Sequence, residues 1–146
     1  MLLVVLLLAS CASRPQVAAR GAISLEIDPD PIIAIQTGVD EWLFPFEVEI
    51  RETGGVDVTI DTVVIRVHLN SVRIYQETLR SDDLQRLGYP RHLAAGRLFR
   101  YQFDPSRTIP DPGLISRIEA ELDVRGRDSG GRSVSASRSV SLSIDR

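Results

Sequence analysis

Residues 118–144 read IEAELDVRGRDSGGRSVSASRSVSLSI, and the fold turns on the two alternations this stretch contains. In the first, Ile118, Ala120, Leu122 and Val124 are separated by Glu119, Glu121 and Asp123; in the second, Val134, Ala136, Val140, Leu142 and Ile144 are separated by serines at 133, 135, 137, 139, 141 and 143. Successive side chains of an extended strand point to opposite faces, so each run carries one apolar and one polar face. Asp128-Ser129-Gly130-Gly131 between them has turn chemistry, which predicts a hairpin whose loop is Arg125 to Arg132. Arg138 falls on the apolar phase and is therefore expected at a rim or a bulge, where a charge also guards a strand against unwanted pairing.

The same period of two extends back to Gly21. Ile23, Leu25 and Ile27 point one way until Asp28-Pro29-Asp30-Pro31 interrupts the ladder, because proline donates no hydrogen bond; Ile32 to Gln36 is expected to resume the same edge. Phe44, Phe46, Val48 and Ile50 alternate with Glu47, Glu49 and Arg51 as the clearest core strand, and Thr53-Gly54-Gly55 turns the chain. From Val56 the alternation runs through Val58 and Ile60, then slips by one residue and continues at Val63, Ile65, Val67 and Leu69. A slip of one predicts a β-bulge near Asp61-Thr62, or two separate strands. Asn70-Ser71 reads as a tight turn into Val72 to Leu79, and Ser81 to Leu87 as a single helical turn capped by Ser81 and ended by Gly88 and Pro90. Phe99, Tyr101 and Phe103 form a further strand that Asp104-Pro105-Ser106 terminates.

About seven or eight short strands with turns between them predict an all-β fold, an antiparallel β-sandwich spanning residues 22–146. The order resembles bacterial immunoglobulin-like or fibronectin type III-like domains. Three segments carry that resemblance: the strand Phe44 to Ile50 leading into Glu52-Thr53-Gly54-Gly55-Val56, the Ala95-Gly96 turn before Leu98 to Phe103, and the last hairpin. An eight-stranded jelly roll or a small barrel accommodates the same alternation.

Leu8-Ala9-Ser10-Cys11 closes an apolar run that starts at Met1, and it resembles the lipobox of bacterial lipoproteins. That resemblance implies a signal peptide over residues 1–10, cleavage before Cys11, and a lipid on the Cys11 thiol with residues 11–21 as tether. The run Leu2 to Leu8 suits a signal h-region and is far shorter than the roughly 20 residues of a membrane-spanning helix. No Lys or Arg precedes it, which predicts a start upstream of Met1 or leaves the free amino terminus to serve alone. Ala12 stands where lipoproteins retained at the inner membrane often carry Asp, so the expected location is the outer membrane, facing the periplasm.

The remaining composition narrows the function. The chain has 146 residues, 17 basic against 20 acidic side chains and a formal charge of −3, which offers no basic surface for nucleic acid. Every basic side chain other than histidine is arginine, and Cys11 is the only cysteine, so no disulfide is available. No spacing matches a nucleotide loop, a nucleophile elbow or a metalloprotease helix. No enzyme activity, cofactor or metal is therefore expected: the two histidines, His68 and His92, are a strand and a loop residue, and Asp28, Asp30, Asp40 and Glu41 lack the ligand ladder of a calcium loop.

Two readings follow from what remains. The first is a lipid-anchored module that interacts with envelope protein partners or assembles with them, its final serine-faced strand open to strand addition. The second is a lipoprotein that binds a carbohydrate or another small ligand at its loop tips. Trp42 and Tyr89 are the candidate binding aromatics because both flank turns, and Arg125, Arg127 and Arg132 are candidate anion contacts around the last hairpin. A concave pocket beside an aromatic favours the second reading, and a filled core with an exposed apolar edge favours the first.

Overall fold

The computed structural model describes residues 18–145, so the lipobox, Cys11 and most of the tether lie outside the described residues. Within them the chain is all-β. Its strands are β1 (Ile23–Asp28), β2 (Ile32–Gln36), β3 (Glu41–Leu43), β4 (Phe46–Glu52), β5 (Val58–Leu69), β6 (Val72–Arg80), β7 (His92–Leu93), β8 (Leu98–Phe103), β9 (Ser106–Thr108), β10 (Ile118–Asp128) and β11 (Ser133–Ile144). One helical turn, α1 (Ser81–Arg86), follows β6, and a 3-10 turn over Pro112–Arg117 precedes β10. No helix among the described residues is long and apolar enough to cross a membrane.

Eleven strands, rather than seven or eight, arise because short pieces pair where sequence suggests only loop. They form a three-stranded sheet, β1-β4-β8, and a larger one ordered β6-β5-β10-β11-β2-β3-β9, with β7 also paired to β5. The sheets face each other across one apolar core. Val48 and Ile50 of β4 and Tyr101 of β8 meet Val58, Ile60 and Val63 of β5 and Val124 of β10, all fully buried. These are the residues on the apolar phase of each run.

The Asp28-Pro29-Asp30-Pro31 break has a larger effect than an interruption. β2 does not resume the edge of β1: it crosses to the other sheet and pairs parallel to β11, with Leu142 opposite Ile32. The large sheet is therefore mixed. Arg138 occupies the rim this crossover creates and pairs with Asp30 at 3.0 Å.

The slip in β5 is a bulge within one continuous strand. Arg125 pairs with Thr62 and Gly126 with Ile60, which leaves Asp61 as the extra residue. Gly126 is required there, since a Cβ would fall 2.2 Å from the Thr59 carbonyl oxygen. Asn70 and Ser71 both take positive φ, 49° and 67°, as a two-residue hairpin turn of the right twist demands.

The expected helical turn is present as α1 (Ser81–Arg86), but its cap and the bounds of the last hairpin loop differ from expectation. Arg80, not Ser81, is the capping residue of α1, and its amide donates to the Asp83 carboxylate at 3.0 Å. The last hairpin is longer and its loop tighter than predicted, because the ladder continues to Arg127 opposite Ser133. Arg125 and Arg127 are thus strand residues.

Candidate functional site

Strand length decides where the site lies. The strands of the small sheet have 6, 7 and 6 residues, whereas β5, β10 and β11 have 12, 11 and 12. At about 3.3 Å per residue, the large sheet overhangs the small one by some 15–20 Å. The two halves of β5 show the consequence. Val58, Ile60 and Val63 are wholly buried, while Ile65, Val67 and Leu69, on the same phase, are only partly covered.

Over this overhang the sheets enclose a cleft of about 620 Å³. Its floor is apolar: Ile65, Val67 and Leu69 of β5 stand beside Ala120 and Ile118 of β10. Phe44, Phe46, Phe103 and Tyr89 form the facing wall, and Ile32 and Leu142 line the inner end. The aromatic wall is a packed unit, with Phe46 and Phe103 stacked at 5.1 Å and Tyr89 at 5.6 Å from Phe103.

Polar groups gather at the rim. The large sheet curls until its two edge strands approach each other, bringing the Arg107 guanidinium of β9 to 4.8 Å from the centre of the Tyr75 ring on β6. The Tyr75 hydroxyl donates to Glu77 at 3.0 Å. Burial and the neighbouring Glu77 carboxylate both push the Tyr75 phenol up, so it stays a donor at neutral pH. Tyr89 donates to the Gln102 carbonyl at 2.6 Å, its phenol raised by burial and by the charges of Asp104 and Glu77. Among the described residues, no histidine, serine or cysteine lines the cleft.

Of the residues expected to bind, one lies in the cleft. Tyr89 is a half-buried wall residue rather than a loop-tip aromatic. Trp42 is only 5% exposed, and its indole N–H donates to the Ile109 carbonyl at 3.3 Å, so it seals the core. The arginines are engaged: Arg125 with Asp123 at 2.8 Å, Arg127 with Asp61 at 3.5 Å, and Arg132 with Asp128 at 2.8 Å. They make no shared anion site, because each faces its own carboxylate.

The pole opposite the cleft holds the start of the described chain. Gly21 donates to Asp128 at 3.2 Å, and Arg132 donates to the Ala19 carbonyl, so residues 19–21 are held to the β10-β11 hairpin. The Asp128 carboxyl is held below its ordinary range by the Arg132 amide, the Gly21 amide and the Arg132 side chain, against the opposing effect of burial.

At the same pole Glu52, 1% exposed, accepts from the amides of Gly54, Gly55 and Gly96 at 2.7, 2.9 and 2.9 Å and from Ala22 at 3.3 Å. Burial alone would raise its carboxyl; the backbone donors of Gly96, Ala22, Gly54 and Gly55 outweigh it and lower the pKa to about 2. This residue escaped the sequence reading although the signal was present. Glu52 continues the apolar phase of Val48 and Ile50 and is followed at once by a Gly-Gly turn rich in free amides.

No protein-family model and no curated protein sequence matches the chain. Two solved structures share the fold. One is a Bordetella pertussis protein given the name ApaA, 14% identical over 85% of this chain and 94% of its own, with a TM-score of 0.56. The other is a structural-genomics target, 11% identical over 82% of this chain and 86% of its own, with a TM-score of 0.55. At these identities the likeness is one of fold alone.

Proposed function

We propose that this protein is a lipid-anchored envelope domain that holds an apolar small ligand between its two sheets. The cleft is the observation that carries the reading. At 620 Å³ it has the size and apolar lining of a small-molecule site, with polar groups confined to one rim. Its cause supports the reading too, since the overhang of the long strands keeps the walls apart and collapse cannot close them.

The anchor belongs to the same proposal. Lipidation at Cys11 places the domain in the cell envelope, at the outer membrane and facing the periplasm. The hold on residues 19–21 supports an orientation in which the cleft points away from that membrane: Val67 lies nine residues beyond Val58 along β5, about 30 Å from the tethered pole. The two-sheet core is assigned to the immunoglobulin-like sandwich class, with a mixed rather than a purely antiparallel larger sheet.

The test is binding of N-phenyl-1-naphthylamine, a neutral probe that fluoresces in apolar surroundings. The full chain carrying Cys11→Ser should bind it without detergent. Ala120→Trp, which places an indole on the cleft floor, should weaken binding at least about tenfold while leaving the thermal midpoint within a few degrees. Absence of probe binding, or equal binding by the filled variant, refutes the reading.

One observation favours a second reading, an interaction module for an envelope protein partner. β6 is an edge strand, and its Val72 and Ile74 are 65% and 55% exposed. An apolar edge of this kind accepts a partner strand.

A further inference from the structure

The rim of the cleft discriminates between kinds of head group. Arg107 is the single cation along the lining, and among the described residues it makes no ion pair. One of its nitrogens donates to the Ser106 carbonyl at 2.6 Å, and the guanidinium carbon lies 4.8 Å from the centre of the Tyr75 ring. A guanidinium has five N–H donors in a fixed fork, so one bond to Ser106 leaves several of them for a ligand.

The two acids of the rim are placed differently. Glu77 is occupied by the Tyr75 hydroxyl. Asp104 stands on the ridge that the cleft shares with a smaller hollow of about 370 Å³. The polar rim therefore offers one cation that makes no ion pair, beside two carboxylates, at the mouth of an apolar chamber.

We infer that the occupant is a long-chain fatty acid, its carboxylate on Arg107 and its chain between Val67 and Phe103. This rests on the cleft being the binding site. A forked guanidinium matches a planar carboxylate through two parallel hydrogen bonds. Volume agrees with a single chain: 620 Å³ holds roughly 20 groups the size of a water molecule, at about 30 Å³ each. A saturated acid of medium to long length fills that space.

Competition against N-phenyl-1-naphthylamine on the Cys11→Ser full chain separates the possibilities. Tetradecanoate, tetradecanol and tetradecylamine share a chain and differ only in the head. The acid should displace the probe at a concentration about tenfold lower than the alcohol, and Arg107→Gln should remove that advantage while changing the alcohol less than about twofold. Arg107 is exposed, so the variant should keep its fold, and a thermal midpoint within a few degrees of the parent verifies this. Equal affinity for acid and alcohol, tightest binding of the amine, or equal loss for all three heads in Arg107→Gln overturns the fatty-acid assignment while the cleft still binds probe. Failure of the probe itself to bind refutes instead the cleft as a binding site.

Discussion

Replacing Glu52 with glutamine should cost the protein about 2–3 kcal/mol near neutral pH and much less in acid. The magnitude follows from its surroundings. A carboxyl carried from its ordinary 4.5 to about 2 corresponds to roughly 3 kcal/mol at about 1.36 kcal/mol per pH unit. Screening by water near this pole brings the figure towards about 2 kcal/mol. The folded-state pKa is depressed, so the contribution is fully present above the unfolded value near 4.5 and disappears as pH falls through the folded value near 2. More than half of it should be gone by about pH 3. Glutamine keeps the shape but presents an NH₂ group to amides that are themselves donors, and it gives up the charge-assisted bonds. Urea unfolding of the full chain at pH 7 and pH 3 can be followed by the fluorescence of Trp42, which is buried and the only tryptophan. Other depressed carboxyls, including those of Asp123 and Asp128, are present in both proteins and cancel in the difference between them. A gap between wild type and Glu52→Gln that is the same at both pH values refutes the reasoning.

The anchor and the edge strand give two further predictions. Cys11→Ser should move the protein out of the membrane fraction and abolish labelling by a fatty-acid probe, and unchanged partitioning defeats the lipid proposal. If β6 accepts a partner strand, crosslinking in the native envelope should give a protein adduct that Ile74→Lys removes; an adduct that survives the substitution refutes that use of the edge.

The alternating runs of β1, β4, β5, β8, β10 and β11 were legible because each has one buried face, and a period of two then records which face it is. The bulge at Asp61 was legible for the same reason, as a change of phase inside one run. Partnership was not: nothing local in Ile32 to Gln36 distinguishes a strand that resumes β1's edge from one that crosses to lie parallel to β11. That choice is made by the length and direction of Asp28-Pro29-Asp30-Pro31 and by contacts 108 residues away, of which Arg138 to Asp30 is one. The arginines were misread for a related reason. Clustering along the chain at 125, 127 and 132 says little about a shared site when each side chain meets a carboxylate brought by its own or a neighbouring strand.

The cleft was written in the sequence as a mismatch rather than a motif. Ile65, Val67 and Leu69 have the same alternation as Val58, Ile60 and Val63, and no property of the side chains separates them. What separates them is the reach of the opposing sheet. β4 and β8 have 7 and 6 residues while β5 runs for 12, so the second half of its apolar face meets only the ends of β4 and β8, at Phe46 and Phe103. A face of that size left open to water is unfavourable, at about 25 cal/mol for each Å² exposed. Two arrangements reduce the exposure: coverage by the chain itself, or coverage by something bound. Here the chain covers it in part, through Tyr89, β9 and the 3-10 turn that brings Leu114 to the lining. That cover is built of loops and a three-residue strand, the elements with the fewest backbone bonds to hold them, and it is where a ligand can enter without breaking the core. The pole that carries the tether is by contrast tied by Glu52, Asp128 and the β10-β11 hairpin. Hydrogen bonding is concentrated at one end and the open apolar face at the other.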